Sequence, residues 1–514
     1  MKFDYVVVGA GAAGCAVANR LSADPGRTVL LVEYGGRPRS PLISIPKGFY
    51  YILRGDRYLY RYAVELNSEV WLRGKVLGGS TAVNGMMWVR GAPADWDALA
   101  SRGNPGWAWD DVRPAYAAIE NTLGISVPPV DDEINRAILE SARSYGWHIA
   151  ADFNSSDAER IGPTPSSING GRRVTAYSAF IRSVENRPNL AVTTRTRAGC
   201  LIFDGHRVTG VRVRRGRGAA TDINARREVV VCAGAVETPL LLERSGIGRP
   251  EIIRALGAEL RADSPNVGER VIEQRGVATQ VTLKKRPGPS RHLDSLPKQG
   301  WETFKYLLSH RGPLATGGYD LVCQFKSSPD RPRPDVQGLF APMALEAGSA
   351  EMKLAKHSGI LFMGYPIRPE TRGSVHASGP APEDPPVIDA RFLETESDRQ
   401  SAAPVLDTAR ALLGQGSVAE YVAGEEFPGP SVATPEQVIR YSLETGTGIY
   451  HAVGSAAMGP DDSDVTDPRL RVRGVDGLRI ADASVLPGQV SGNTAAPAMA
   501  VGWRAAGFIL EEAA

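Results

Sequence analysis

Phe3-Asp4-Tyr5-Val6-Val7-Val8 runs into Gly9-Ala10-Gly11-Ala12-Ala13-Gly14, and Thr28-Val29-Leu30-Leu31-Val32 then closes on Glu33. The two apolar runs read as strands, and Cys15 to Leu21 between them has helix-compatible spacing. Strand, glycine-rich turn, helix, strand and acid come in the order of a dinucleotide-binding βαβ unit. Gly9 allows the tight turn, Gly11 lets a pyrophosphate approach the backbone, and Gly14 lets helix and strand pack closely. The helix start offers unpaired N–H groups and the positive end of a dipole to the phosphates. Glu33 suits an adenosine ribose.

The whole chain has 514 residues, which predicts more than one domain. Lys and Arg number 59 against 57 Asp and Glu, a balance that gives no overall electrostatic case for nucleic acid or an anionic membrane surface. No apolar run has the length of a bilayer span. The first strand starts within three residues, leaving no room for a signal peptide. Cys15, Cys200, Cys232 and Cys323 are too scattered for a metal or redox pair. Together these features predict a cytoplasmic protein.

Further along, residues 40–66 are rich in aromatics (Phe49, Tyr50, Tyr51, Tyr58, Tyr60, Tyr62) and read as an excursion that covers the ligand. Gly78-Gly79-Ser80 suits a backbone passing close to a ligand, and the apolar stretch after it is helix-compatible. Strands are predicted at Leu190–Thr194, Val208–Val213 and Glu228–Ala235, with a helix from about Thr238. From 280 to 436, isolated strands and turns suggest a separate sheet. Leu478–Ser484, a strand ending in a polar turn, returns to the first domain, and Ser491-Gly492-Asn493-Thr494-Ala495-Ala496-Pro497 opens a closing helix in which Pro497 sits in the first turn.

Four motifs in one order carry a family resemblance: the N-terminal turn with Glu33, Arg73 to Gly91, Gly234 to Gly248, and His451 to Pro497. The chain resembles the glucose–methanol–choline (GMC) oxidoreductases, flavoproteins acting mainly on alcohols. The resemblance implies an α/β fold: a Rossmann-like FAD-binding domain with a discontinuous, mainly antiparallel-sheet substrate domain. On this reading the FAD-binding parts are 1–39, 71–105, 185–280 and 437–514. The excursion is 40–70, a helical substrate-side insertion is 106–184, and the substrate domain is 281–436.

The resemblance further implies FAD held by Gly9, Gly11, Ala12, Ala13, Gly14 and Glu33, with Gly79, Ser80, Asn84, Gly85, Met86 and Met87 along the ribityl and ring. Ala198 falls near the adenine, Ala481 and Asp482 on the pyrophosphate–ribityl side, and Asn493, Thr494 and Ala495 over the ring. Val83 occupies the position where some members carry a flavin-linking histidine, so the expected cofactor is non-covalent. His451 and Asn493 align with the catalytic pair. An imidazole of near-neutral pKa takes the hydroxyl proton, and the carboxamide orients the same oxygen. Tyr450 is a candidate for the substrate pocket. Expected partners are a small-molecule alcohol and an O2 or quinone-like acceptor, with no nucleic acid. Hydroxynitrile-lyase-type or photodecarboxylase-type chemistry on the same fold, and flavin binding without catalysis, are the alternatives. Two departures stand out: Tyr34 after Glu33, and Asn266–Gln274, which lacks the usual Asp-His and is expected to bear on the local pocket or domain joint but not on the flavin site.

Overall fold

A computed structural model describes residues 2–66, 69–284, 287–288, 290–293, 295–346 and 353–513. Strands Lys2–Val8, Val29–Val32, Leu190–Thr193, Ala220–Val231 and Leu478–Ile480 run parallel in one sheet. Thr196–Asp204 and Arg207–Arg215 extend it antiparallel beyond Ala220–Val231. Val6 pairs with both Leu30 and Val229, and Val229 pairs onward with Leu478. Val6, Val7, Val230 and Ile480 have no exposed surface. Such continuous apolar runs suit parallel strands covered on both faces.

Helix Ala12–Leu21 packs on the closing helix Ala495–Glu512. Small residues make the crossing possible: a Cβ at Gly502 would lie 2.5 Å from the Ala13 carbonyl oxygen. Pro497 lies in the first turn of that closing helix, where a missing N–H costs little.

A second sheet, mainly antiparallel, has the order Val422–Phe427, Val277–Leu283, Gly359–Pro366, Val336–Ala341, Leu321–Phe325, Arg160–Pro163, His148–Ile149. Its core gathers Phe325, Val336, Phe340, Phe362, Leu406 and Leu412.

Several expected boundaries move. A division at 280 would cut strand Val277–Leu283, which belongs to the antiparallel sheet because it pairs along its length with Gly359–Pro366. The 106–184 segment is not purely helical, since it supplies the last two strands at one end of that sheet, Arg160–Pro163 and the edge strand His148–Ile149. The helix expected from Thr238 begins at Gly234. The closing helix begins at Ala495 rather than Ser491. After Gly78 only a 3-10 turn, Gly79–Ala82, forms. Asn84 Oδ1 accepts the Met86 N–H at 3.1 Å, and Met86 takes a φ of 67°, so the helix cannot continue. Among the described residues, no helix is long and apolar enough to cross a membrane.

Candidate active site

One cavity of about 410 Å³ runs from the glycine turn of the parallel sheet to the antiparallel sheet. Gly9, Gly11, Ala12, Ala13, Glu33, Gly79, Ser80, Asn84, Gly85, Met86, Met87, Ala198, Tyr450, His451, Asp482, Asn493, Thr494 and Ala495 all line it. Gly14 and Ala481 do not. A Cβ at Gly14 would sit 1.9 Å from the Gly9 carbonyl oxygen, so this glycine serves helix packing behind the turn. Ala481 is fully buried and its N–H goes to the Val231 carbonyl in the sheet.

The turn is shaped for a ligand backbone. Gly9 has φ 102°, where a Cβ would strike the Cys232 carbonyl at 2.4 Å. A Cβ at Gly11 would meet nothing, so the space beside it is open at the start of helix Ala12–Leu21, which has no side-chain cap. Uncapped N–H groups there suit an anion. Glu33 is engaged by the protein: Oε2 accepts from Ala10 N at 3.0 Å and Oε1 from Gly35 N at 2.6 Å. Burial pushes its carboxyl up to about 7 against these two donors. Asp482 Oδ2 accepts from Gly234 N and Thr238 Oγ1, and Oδ1 from Ser484 N. Tyr34, Tyr60 and Tyr62 form a stacked ladder with the Arg197 guanidinium over Tyr34. The 40–66 excursion thus supplies cavity wall through Phe49, Leu53, Tyr60 and Tyr62.

At the other end, His451 Nε2 lies 3.1 Å from Asn493 Nδ2, and His451 Nδ1 lies 2.7 Å from Gln274 Oε1. The Gln274 amide is oriented by its own Nε2 donating to the Ile367 carbonyl at 3.2 Å. Its Oε1 can only accept, so the proton sits on Nδ1 and Nε2 presents a lone pair. Burial, then the nearby Arg73 charge, pushes His451 down to about 3, not to the near-neutral value expected. The ring is therefore held neutral with its basic nitrogen at the cavity wall.

The Asn493 carboxamide is fixed in turn. Gln337 Nε2 donates to Asn493 Oδ1 at 3.0 Å and to Tyr365 Oη at 2.6 Å. Gln324 Nε2 donates to Gln337 Oε1 at 3.0 Å, and Arg160 Nη2 donates to Gln324 Oε1 at 2.9 Å. Every amide in this file accepts from one side and donates to the other. Arg160, which has no acceptor, sets its direction. Arg160, Gln324 and Gln337 are all buried. A buried polar chain with each member paired specifies one arrangement.

Behind His451, Glu273 Oε1 accepts the His451 and Gln274 N–H groups, 2.8 and 2.9 Å. Arg73 Nη1 donates to the Tyr450 carbonyl at 2.9 Å. Tyr450 has φ 64°, an unfavourable backbone that this contact helps hold. Gln274, Gln337, Gln324 and Arg160 were not among the predicted site residues. Gln274 ends the divergent Asn266–Gln274 segment, so that segment reaches His451. The three on the antiparallel sheet carry no local signal, since a lone glutamine or arginine in a strand has no motif.

Two sequence profiles of the GMC oxidoreductase family, covering its N- and C-terminal parts, match residues 3–274 and 369–502. An oxygen-dependent choline dehydrogenase of Brucella melitensis is 32% identical, over 99% of this chain and 96% of its own length. An alcohol dehydrogenase [acceptor] of Pseudomonas putida is 30% identical, over 99% and 96%. Among solved structures, pyridoxine 4-oxidase from Mesorbium loti superposes with a TM-score of 0.88 at 26% identity, covering 99% of each chain. Fold and matches together define a flavin-dependent oxidoreductase. The chain belongs to the GMC oxidoreductase family, enzymes that act on CH–OH groups with FAD. The open face at Gly11 and the uncapped helix start fit the pyrophosphate of that cofactor.

Proposed function

We propose that the chain oxidises a primary or secondary alcohol, aromatic or apolar, to the aldehyde or ketone. His451 Nε2 accepts the hydroxyl proton. Asn493 Nδ2 donates to the same oxygen, holding the carbon-bound hydrogen toward the cofactor. FAD, when bound, supplies the hydride acceptor, and O2 or a quinone-like compound restores it. Gly9, Gly11, Ala12, Ala13 and Glu33 hold its adenosine and phosphate side, with Ala198 and Asp482. Gly79, Ser80, Asn84, Gly85, Met86, Met87, Thr494 and Ala495 hold the remainder. Attachment is non-covalent, because Val83 offers no nucleophile.

The observation that carries this reading is the His451 Nε2–Asn493 Nδ2 pair at 3.1 Å on the cavity wall, with the opposite ring nitrogen tied to Gln274. Tyr319, Leu339, Met363 and Tyr450 line the same cavity and suit an uncharged substrate. The lining acids Glu33, Glu237 and Asp482 are all engaged by the protein, Glu237 by Tyr62 and Arg197. None is held for a cationic alcohol.

The test is anaerobic flavin bleaching with a panel of aromatic, aliphatic and amino alcohols, followed by admission of air to time reoxidation. Aromatic or aliphatic alcohols should bleach the parent. His451→Ala should bleach slower by orders of magnitude with FAD still bound. Normal bleaching in that variant, or a parent that no alcohol bleaches, would overturn the proposal.

A further inference from the structure

Helix Leu296–Ser309 is built inside out. The side chains it buries are Glu302 and Tyr306. Glu302 Oε1 pairs with Lys305 Nζ at 2.6 Å and His292 Nδ1 at 3.2 Å, and Tyr306 Oη donates to the Gly171 carbonyl at 2.9 Å. Its outward side carries Leu296, Trp301, Phe304, Leu307 and Leu308, exposed by 81, 60, 52, 60 and 72%. These are half of the large apolar side chains that stand exposed among the described residues of the whole chain. Trp301 and Phe304 stack on each other in solvent, 5.7 Å between ring centres. Exposed apolar patches of this kind mark contact surfaces.

Among the described residues between 291 and 311 the exposed charges have one sign. Arg291, Lys298, Lys305 and Arg311 are exposed, while the acid of the described residues between 291 and 311 is the buried Glu302. Tyr51 extends the patch: its hydroxyl donates to Gln299 Oε1 at 3.3 Å, and the Arg54 guanidinium lies over its ring at 5.2 Å. The chain as a whole is nearly balanced, with net charge +2, so this concentration of cations beside aromatics is local.

From this we infer that helix Leu296–Ser309 docks the enzyme on an anionic lipid bilayer, its Trp, Phe and Leu side chains entering the interface and its Lys and Arg meeting the headgroups. A helix with an aromatic and leucine face edged by cations is the form that lies in a membrane surface without crossing it. A second copy of the chain is a poorer occupant, since a two-fold contact through this face sets its cations against one another. Docking also sits beside the chemistry, because Phe49 and Leu53, either side of Tyr51, line the cavity.

The test is flotation of the full-length, FAD-loaded protein with vesicles of phosphatidylcholine plus phosphatidylglycerol, and with phosphatidylcholine alone. The protein should float with the anionic vesicles at low salt and less so as salt rises. The variant Trp301→Ser/Phe304→Ser/Leu308→Ser should lose binding by roughly tenfold or more. Its FAD content and vesicle-free turnover should match the parent, which separates lost docking from lost folding. Absence of the parent from the anionic vesicle fraction would overturn the inference. So would equal binding by the variant, or sedimentation showing that this face holds a dimer that the variant dissolves.

Discussion

Replacing Gln274 by Leu tests whether the tautomer of His451 is set by its neighbour. In the parent, Gln274 Oε1 accepts from His451 Nδ1 over 2.7 Å inside a buried site. Leucine is close in size but accepts nothing. The imidazole then has two poor choices. It can keep the proton on Nδ1 as a buried donor with no partner, at about 1–3 kcal/mol. Or it can move the proton to Nε2, where it faces the Asn493 amide donor and no longer offers a base to substrate. Either way the productive state loses about 1–3 kcal/mol, which is roughly a 5- to 150-fold fall in the rate of flavin reduction. The assay is anaerobic stopped-flow reduction by a saturating alcohol, with FAD content measured on the same sample. Gln274→Glu keeps an acceptor and should recover much of the rate, an effect that simple loss of packing does not produce. A Leu variant that reduces its flavin at the parent rate would refute the tautomer argument.

Four further outcomes follow from the structure. Gln337→Met removes the donor to Asn493 Oδ1 and should slow flavin reduction about 5- to 10-fold with FAD retained, as expected for one lost hydrogen bond near 1 kcal/mol; an unchanged rate would show that the carboxamide orients itself. Gly14→Ala places a Cβ 1.9 Å from the Gly9 carbonyl oxygen and should cost about 1–3 kcal/mol of stability together with much of the bound FAD, read by thermal unfolding and flavin absorbance. The kcat/KM profile should show no acid limb centred on the ordinary histidine value of 6.5, because burial and then Arg73 hold His451 down at about 3; a limb at that pH removed by His451→Ala would contradict this. His376 lies between Glu243 Oε1 at 2.6 Å and Glu269 Oε1 at 3.1 Å; burial opposes its charge, but the two carboxylates raise its pKa above 6.5. Its stabilisation is therefore complete below pH 6.5 and lost as pH rises through the raised folded value, so His376→Gln should flatten the fall in unfolding free energy on the alkaline side.

Much of the parallel sheet and its ligand turn was legible because the signals are local. Val6-Val7-Val8, the spacing of Gly9, Gly11 and Gly14, and the acid at Glu33 lie within one βαβ unit, where short-range sterics and periodicity decide the structure. Glu33 shows the limit of that reading: its position was clear, but its bonds to Ala10 and Gly35 appear only when the turn is folded. Gly14 was read both as a packing glycine and as one of the cofactor-holding residues, and the structure carries the packing role.

By itself the sequence determined that a nucleotide-type turn opens the chain, that His451 and Asn493 stand in motifs suited to alcohol chemistry, and that position 83 is a valine. Tertiary structure decided what surrounds that pair. Gln274 reaches His451 across 177 positions of sequence, and Gln337 reaches Asn493 across 156. Hydrogen bonds that span such separations depend on how two sheets meet, and no local propensity encodes that. The same holds for His451's depressed basicity, which follows from burial and from Arg73, and for helix Leu296–Ser309, which lies where the sequence was read as isolated strands and turns and whose apolar side chains the fold leaves exposed.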